Sequence, residues 1–352
     1  MDFARVIIDW YSHHKRDLPW RHTSDPYVIW LSEIIMQQTR VDQGTPYFNR
    51  FAEKYPTVAD FASAEEDDIL KMWQGLGYYS RGRNMHYTAR MVMEEYGGYF
   101  PSDYNSLLKL KGIGEYTAAA ISSFSTNEAR AVVDGNVFRL LARYFGIDIP
   151  INTGKGKKVF TDIANQLIDK KQAGIYNQAA MEFGSQVCKP KNPHCPLCPL
   201  RPGCTACLSS RINVLPVKIK TQKVRERYFN YIIAIKNDCI LMNKRGPNDI
   251  WENLYELPLF ETDNSIEVGS LTAQENFVDA FGPRVHIKSV VGPVKHILSH
   301  QRLYATFIEL EEYQEQLTLP NYWKYVRIQD LERLAQPKLI FHFFKNFVKL
   351  IK

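Results

Sequence analysis

Two acidic residues stand alone in apolar surroundings, where a carboxylate needs a chemical reason. Glu33 is the only charged residue between Asp25 and Arg40, and its immediate neighbours are mostly apolar. A carboxylic acid desolvated in this way has a raised pKa and stays protonated near neutral pH. Asp134 lies in a second, otherwise apolar run. Two carboxyl groups in different surroundings can serve as a proton donor and an ionised stabiliser, and cleavage of a glycosidic bond requires such a pair.

Each acid also has a simpler interpretation. A lone Glu lies most often on the solvent-exposed face of an amphipathic helix, and Asp134-Gly135 is a common turn dipeptide. The lack of other charges around Glu33 weakens the first interpretation. The turn interpretation of Asp134 becomes less favourable only when the segment that precedes Asp134 is considered as well.

The helix that must position Glu33 is predicted from its start signal. Asp25 precedes a proline, which is typical of a helix N-cap followed by proline at the first helical position. We expect this helix to extend to Thr39. Trp30 and Gln37 lie three and four residues from Glu33, so one helix face carries a ring, an acid and an amide.

The segment before Asp134 predicts two helices joined by a tight hairpin. An apolar helix ends near Leu110, Gly112 and Gly114 permit the hairpin, and a small-residue helix covers 116–121. Backbone N–H groups at the start of such a helix suit a phosphate oxygen. Contacts of this kind position duplex DNA without reading its sequence, so the acid that follows is expected at a nucleic acid.

If the bond to be broken joins a base to its sugar, the base must first leave the duplex. An enzyme that flips a base into a pocket must also fill the gap that the base leaves. Side chains that can form the wedge and the stacking contacts occur in two places, at Gln37, Gln38 and Thr39 and at Leu76, Tyr78 and Tyr79. Their simpler interpretation is core packing and a loop.

Four of the six cysteines are grouped as Cys188-x6-Cys195-x2-Cys198-x5-Cys204. Clustered cysteines in a chain without a secretory signal indicate a metal site before disulfides. One close pair flanked by two single cysteines differs from the paired Cys-x2-Cys units of a zinc ribbon. A [4Fe–4S] cluster is therefore favoured, with a structural zinc ion as the alternative.

Length and composition are those of a globular protein with about two domains. The 352 residues carry a net charge of +6, which fits a polyanionic partner without requiring one. The N-terminus is predicted to form an amphipathic helix rather than a signal peptide, and no apolar run is long enough to cross a membrane. We expect a monomeric, cytoplasmic protein with no membrane partner.

The second half of the chain has a different character. Residues 209–226 are basic with no helical stripe, which indicates a linker, and 227–352 predict a small α+β domain. Tyr228–Ile235 and 239–245 are predicted to form a hairpin across Lys236-Asn-Asp. Helices are expected at 272–281 and 337–348.

The hairpin followed by Val132-Val-Asp-Gly-Asn136 resembles the helix-hairpin-helix DNA glycosylase superfamily. Within it, 18–21, 30–39 and 75–81 are similar to the MutY family of adenine DNA glycosylases, and the resemblance covers most of 1–208. It implies an all-α helix-hairpin-helix glycosylase domain with an iron–sulfur loop at 188–204.

This resemblance also implies residue roles. The residue matching Glu33 protonates adenine, the one matching Asp134 stabilises the sugar cation, and those matching Tyr116 and Asn136 support it. Arg21 matches a residue that lines the adenine pocket. The implied substrate is double-stranded DNA with adenine opposite 8-oxoguanine or guanine, and the cysteine spacing matches the family's [4Fe–4S] loop.

The nearest rival is an endonuclease III-like glycosylase and lyase, which acts on oxidised pyrimidines. Lyases of this superfamily place a Lys just after the hairpin, where its amine forms a Schiff base with the sugar. This chain has Tyr116 there, so we expect base excision without efficient strand cleavage. A lesion-binding protein without catalysis is the alternative from a different class, and both carboxylates count against it.

The C-terminal domain resembles the Nudix-like domain of the same family through Trp251-Glu-Asn-Leu-Tyr-Glu-Leu-Pro258. Its acids are too scattered for the metal site of a Nudix hydrolase, so no pyrophosphohydrolase activity is expected. Ser299 and His300 match the family loop that reads 8-oxoguanine. The family often has Phe where this chain has Leu298, and an ordinary turn is the simpler interpretation of the loop.

Overall fold

The computed structural model describes residues 2–219, 224–313, 320 and 322–351. The chain divides into two compact units, one formed by 1–64 with 84–220 and the other by 65–83 with 221–352. The second unit therefore includes residues 65–83 from the N-terminal half. The predicted boundary at residue 208 assigns this segment to the first domain. Residues 220–223 of the predicted linker lie outside the described residues.

The helices, in chain order, are α1 Phe3–His14, α2 Pro26–Met36, α3 Val41–Lys54, α4 Val58–Ser63, α5 Glu66–Trp73, α6 Ser80–Glu95, α7 Tyr104–Leu107, α8 Glu115–Thr126, α9 Gly135–Phe145, α10 Gly154–Leu167, α11 Ala173–Gln186, α12 Thr205–Leu208, α13 Val268–Thr272, α14 Glu275–Phe281 and α15 Lys338–Ile351. The strands are β1 Arg225–Ile233, β2 Ile235–Lys236, β3 Cys239–Lys244, β4 Tyr255–Glu256, β5 Leu259–Thr262, β6 His286–Ile297, β7 Gln301–Glu312 and β8 Trp323–Arg327.

The first unit is helical among its described residues, and its helices bury apolar faces against one another. One core cluster joins Phe3 and Ile7 of α1 to Phe160 of α10 and Phe183 of α11. The residues before α10 are also joined to the start of the predicted linker, because the Ile151 N–H donates to the Val217 carbonyl over 3.1 Å. Helix α11 also packs against α8 and α9, and α8 packs against α2, so this core positions the three helices that carry the predicted site.

The second unit contains two four-stranded sheets. The first has the order β5-β1-β7-β6, in which β1 and β7 are parallel, while β8 and β4 both pair with β3 in the second. Successive residues of a strand face opposite sides. Phe307 of β7 accordingly packs with α15 residues such as Phe344 in one core cluster, and Ile308 packs with Phe277 and Phe281 of α14 in another.

The predicted hairpin across residues 236–238 is wrong in part. Only the two-residue strand β2 pairs with β3 there, while β1 pairs with β5 and β7 in the other sheet. The chain changes sheet at Ala234, and a period-two pattern does not reveal such a break. The predicted helices near 272–281 and 337–348 are present as α14 and α15. The order of a helical domain followed by an α+β domain is confirmed.

No helix in the described part of the chain is both long enough and apolar enough to span a membrane.

Candidate active site

Glu33 is held inside the first unit by α2. The helix begins where Asp25 accepts a hydrogen bond from the Tyr27 N–H over 2.9 Å, and it places Glu33 with only 8% of its surface exposed. Burial raises the pKa of Glu33 to about 7, against the opposing effect of a hydrogen bond from Tyr116. The Tyr116 hydroxyl donates to Glu33 Oε2 over 2.6 Å. Glu33 is therefore a buried acid that exchanges its proton near neutral pH.

Asp134 is the N-cap residue of α9. Its Oδ1 accepts hydrogen bonds from the backbone N–H groups of Asn136 and Val137 over 2.9 and 2.8 Å. Its Oδ2 accepts from the Asn136 side-chain amide over 2.7 Å. Burial raises the pKa of Asp134, and these three hydrogen bonds counter that effect because they stabilise the charged form. The predicted turn residue thus caps a helix and also presents a carboxylate.

Glu33, Tyr116 and Asp134 form one electrostatic group. The charge of Asp134 raises the pKa of both Glu33 and Tyr116. The Tyr116 pKa also rises because the ring is buried, so its phenol stays neutral and can donate to a carboxylate. A neutral phenol and two carboxyl groups therefore interact within one buried site.

Asn136 connects this group to Arg139, which sequence reasoning missed. The Arg139 guanidinium donates to Asn136 Oδ1 over 2.9 Å and to the Gly184 carbonyl over 2.7 Å. The same guanidinium donates to the Cys188 carbonyl over 2.6 Å. One arginine thus joins the residue that supports Asp134 to the first residue of the cysteine loop.

Glu182 is a second buried acid that sequence reasoning missed. Its carboxylate accepts from Arg16 Nε and from Arg21 Nη2, each over 2.6 Å. Hydrogen bonds from the two arginines lower its pKa to about 2 against the effect of burial. Arg21 also lowers the pKa of Glu33. The predicted pocket residue Arg21 is therefore near the acid, and Glu182 orients it.

The residues that follow Glu33 form a turn after α2. Gln37 donates from its side-chain amide to Thr117 Oγ1 over 3.3 Å, and the Thr39 hydroxyl donates to the Gln37 carbonyl over 3.2 Å. Gln38 is exposed and has a left-handed backbone with φ of +56°. These three predicted residues therefore lie close to one another at the end of the helix that carries Glu33.

The predicted hairpin joins α7 to α8. Gly112 has φ of +81°, which favours glycine. Gly114 is the N-cap of α8 and supplies no side chain to its N–H groups. Both glycines are exposed. The first N–H groups of α8 thus remain suited to an anion such as a phosphate.

Leu76 and Tyr78 belong to the second unit, in the turn between α5 and α6. Leu76 is buried, whereas half of the Tyr78 surface is exposed. Ser299 and His300 lie in the exposed turn between β6 and β7, where the Ser299 hydroxyl is 2.9 Å from His300 Nδ1. Leu298 packs partly buried against the sheet core, so the turn presents its two polar residues.

The four clustered cysteines have free thiols and line a single cavity. Burial, together with the nearby thiols of the other three cysteines, raises the pKa of Cys198 to about 11, as like charges in proximity do. Arg143 donates to the carbonyls of Lys189 and Pro190 over 2.7 and 3.1 Å. A buried arginine thus holds the first part of the loop.

Four thiols line this cavity, and thiolates are ligands both of zinc and of iron–sulfur clusters. Among the described residues, no group of three His, Cys, Asp or Glu side chains is arranged to hold a metal ion. In a four-iron cluster each thiolate binds a different iron atom, so its ligands surround a space larger than one ion. Four thiols around one cavity fit this requirement.

Comparisons with known proteins identify the two halves of the chain. Residues 31–164 match the model of the HhH-GPD superfamily of base excision DNA repair proteins, and residues 230–346 match the NUDIX domain model. The second match confirms the predicted Nudix-like character of the α+β domain.

Individual relatives extend these matches along most of the chain. The adenine DNA glycosylase of Buchnera aphidicola subsp. Baizongia pistaciae is 32% identical over 305 residues, which cover 86% of this chain and 84% of that protein. The adenine DNA glycosylase of Rattus norvegicus is 41% identical over 213 residues, which cover 58% of this chain and 41% of that protein. The solved structure of a thermostable thymine-DNA glycosylase superposes with a TM-score of 0.55 at 30% identity, over 59% of this chain and 95% of that one. The chain belongs to the adenine DNA glycosylase family and is a DNA glycosylase of base excision repair.

Proposed function

We propose that this enzyme excises adenine paired with 8-oxoguanine, and less efficiently adenine paired with guanine, from double-stranded DNA. The reaction is hydrolysis of the N-glycosidic bond, and its product is an abasic site. The observation that carries the proposal is the buried Glu33, which accepts from Tyr116 over 2.6 Å and has a pKa of about 7 beside Asp134. This is the pair of carboxyl groups that glycosidic cleavage requires.

Each side chain has a defined role in this mechanism. Glu33 donates its proton to a nitrogen of adenine, so that the base departs as a neutral leaving group. Asp134, ionised and supported by Asn136, stabilises the sugar cation that remains or bonds to it transiently. A water molecule then attacks the sugar carbon and gives its proton to Glu33. Arg21 lines the adenine pocket.

The enzyme is proposed to be monofunctional. Lyase activity requires an amine that forms a Schiff base with the sugar, and Tyr116 provides a phenol at that position. Tyr116 is assigned as a support of Asp134, and because its hydroxyl donates to Glu33, it also orients that acid. The DNA strand should therefore remain intact after excision.

Contacts with DNA are assigned to the hairpin and to three turns. The N–H groups at Gly112 and Gly114 bind the phosphate backbone. Gln37, Gln38, Thr39, Leu76 and Tyr78 enter the space left by the flipped adenine. Ser299 and His300 read the 8-oxoguanine on the opposite strand.

The cysteine cavity is proposed to hold a [4Fe–4S] cluster through Cys188, Cys195, Cys198 and Cys204. Bound there, the cluster would fix a loop that has little core of its own. Its presence is tested by an absorption band at about 400 nm and by iron content in the purified protein. Zinc without iron would support the alternative.

No pyrophosphohydrolase activity is assigned to the Nudix-like domain. Glu256 of this domain is fully buried and bound to Arg245 Nη1 over 2.7 Å, so it serves the fold. We further propose that the enzyme acts as a monomer in the cytoplasm, on double-stranded DNA and without a membrane partner.

The test is a single-turnover incubation with labelled duplexes, analysed with and without alkali. One duplex carries adenine opposite 8-oxoguanine, and the other carries thymine glycol. Breaks at adenine that require alkali would support the proposal. Breaks at thymine glycol without alkali would support an endonuclease III-like lyase, and tight binding without breaks would support a damage sensor.

A variant pair assigns the acid. Glu33→Gln keeps the shape of the side chain but cannot donate the proton, so excision should disappear while duplex binding persists. Glu95→Gln changes an exposed glutamate at the end of α6 and should behave as the unmodified enzyme. Retained turnover in Glu33→Gln would place the acid elsewhere.

A further inference from the structure

The turn that carries Leu76 and Tyr78 is part of the same compact unit as the Nudix-like domain. We propose that the Nudix-like residues act as a clamp that sets the position of this turn, and so control how Tyr78 enters the DNA. This inference rests on the proposed function, because it takes the turn as the element that fills the space of the flipped adenine. The clamp is defined as Lys244, Glu252, Asn253 and Tyr255.

The clamp holds the start of α5 through two carboxylates. Asp67 accepts from Lys244 Nζ over 2.7 Å and from the Tyr255 hydroxyl over 3.0 Å. Glu66 accepts from the Asn253 side-chain amide over 2.6 Å. These contacts fix the helix that leads into the turn.

The residues after the turn are held by the same domain. Arg83 donates to the Glu252 carbonyl over 2.8 Å and to its carboxylate over 3.1 Å. The Tyr79 hydroxyl donates to the carbonyl of the buried Gln336 over 3.2 Å. The turn is thus fastened at both ends to residues that are more than 150 positions away in the sequence.

The turn itself needs such support because its backbone is unusual. Gly75, Gly77 and Tyr78 have φ of +106°, +73° and +48°, and a non-glycine residue with positive φ persists only where its surroundings enforce it. Trp73 and Arg81 both donate to the Gly77 carbonyl, over 3.0 and 3.2 Å. Tyr78 is half exposed. It is therefore presented by a strained turn whose two ends are held by the clamp.

The polar nature of the clamp makes it testable by charge exchange. Lys244 and Asp67 are both partly exposed, so either can be replaced without opening a cavity in the core. Lys244→Glu places a third carboxylate beside Glu66 and Asp67. Combining it with Asp67→Lys restores an ion pair with reversed polarity. Lys324→Glu, an exposed charge reversal on β8, is the matched control.

The readout is extrusion of the target base, measured with the full-length enzyme. 2-Aminopurine replaces adenine opposite 8-oxoguanine, and its fluorescence increases when the base leaves the stack. Loss of an exposed ion pair changes a rate by at most about fivefold, so Lys244→Glu should slow both extrusion and single-turnover excision by about that factor. The double variant should recover most of the loss, and Lys324→Glu should show none.

A second comparison asks whether the clamp acts through Tyr78. Tyr78→Ala is measured in the unmodified enzyme and in the Lys244→Glu variant. If the clamp positions Tyr78, the two effects overlap, and Tyr78→Ala costs less in the variant than in the unmodified enzyme. Fully additive effects, or Lys244→Glu with unmodified extrusion, would overturn the proposal.

The same experiment separates this inference from the proposed function. If the unmodified enzyme excises adenine opposite 8-oxoguanine and the Lys244→Glu variant is unaffected, only the clamp proposal is wrong. If the unmodified enzyme excises nothing, both the proposed function and the clamp proposal are wrong. Thermal unfolding of each variant is followed in parallel, and a Lys244→Glu variant that unfolds early without recovery in the double variant would assign Lys244 to stability, against the clamp.

Discussion

Glu33 and Glu182 are both buried glutamates of the helical unit, and their pKa values are shifted in opposite directions. Glu182 is bound by two arginines and has a pKa of about 2, whereas Glu33 receives one phenol hydrogen bond and has a pKa of about 7. Burial raises both values, so the partners decide the charge. Glu182 is therefore a fixed anion that orients Arg21, whereas Glu33 can hold or release a proton near neutral pH.

We predict that Glu33→Gln stabilises the protein, and more at pH 8 than at pH 5. Because the folded pKa of Glu33 is about 7 against 4.5 for an ordinary glutamate, the native state binds more protons than the unfolded state between these values. Stability therefore falls as pH rises through this window, and the cost is complete above about pH 7. Glutamine avoids this cost, which a shift of this size puts at about 3 kcal/mol.

This prediction is measured by urea unfolding of both proteins at pH 5 and pH 8. Glu95→Gln, which changes an exposed side chain, should alter stability equally at both values. A Glu33→Gln gain that does not grow with pH would contradict the raised pKa.

Tyr116→Lys is predicted to install lyase activity. The substitution places an amine where the phenol oxygen now lies 2.6 Å from Glu33, and an amine near the sugar carbon can form a Schiff base. Strand breaks without alkali and borohydride trapping of the protein on DNA measure this gain. Tyr116→Phe should gain neither. An unmodified enzyme that already traps with borohydride would show that the assignment of Tyr116 is wrong.

Part of the candidate site could be predicted because its residues contrast with their neighbours in the sequence. Glu33 and Asp134 are lone charges in apolar runs, and such runs are visible without a structure. Glu182 also follows apolar residues, but its partner Arg16 lies 166 positions away. Arg139 likewise reaches Cys188 across 49 positions. Long-range pairings of this kind leave no local pattern.

At the scale of single elements, the hairpin between α7 and α8 combines a conformational and an electrostatic requirement. Gly112 alone adopts the left-handed backbone that turns the chain, and Gly114 leaves the N–H groups of α8 uncapped by a side chain. The sequence predicts one role for both glycines, the hairpin. In the structure Gly112 supplies the left-handed backbone, whereas Gly114 supplies an N-cap without a side chain.

Gly112→Ala is therefore predicted to destabilise the enzyme and to weaken duplex binding. Alanine at φ of +81° is strained, and its Cβ would lie 3.0 Å from Asn84 Cβ. We expect a loss of about 1–2 kcal/mol in unfolding free energy. Gly114→Ala is the matched control, because its Cβ would meet no atom within 4 Å and its φ is not positive.

Urea unfolding and duplex affinity are measured for both glycine variants. Gly114→Ala should lose less stability than Gly112→Ala, because only the N-cap preference for glycine over alanine opposes it. Equal losses in the two variants would mean that the backbone conformation of Gly112 is not what the turn requires.

The strands show where element prediction fails. Alternation of apolar residues located the ends of β1 and β3 to within three residues, but it joined the two strands into one hairpin. The partners of β1 are instead β5 and β7, and the parallel partner β7 begins at residue 301. Strand pairing depends on which faces are buried in the finished fold, and local sequence does not contain that information.

For the whole molecule, the division of the chain is the feature that sequence reasoning described least well. A boundary near residue 208 follows from the change in composition. The assignment of residues 65–83 to the C-terminal unit depends on contacts such as the ion pair of Lys244 with Asp67. This pair joins residues that are 177 positions apart. Composition changes along the chain, whereas a compact unit is defined in space.

The two units have separate cores, and we predict that they unfold in separate calorimetric transitions. Phe183 belongs to the core of the helical unit. Phe307 belongs to that of the second unit, where its ring stacks on Phe343 at 3.9 Å. Each is almost completely buried, so truncation to alanine should cost about 3–5 kcal/mol in its own unit.

Phe183→Ala should lower one transition temperature and Phe307→Ala the other, because a cavity destabilises only the cooperative unit that contains it. Differential scanning calorimetry of the full-length enzyme resolves this, with the unmodified chain as reference. One transition shifted equally by both substitutions would show that the chain unfolds as a single cooperative unit. In that case Lys244→Glu, a change within the second unit, should lower the single transition as well.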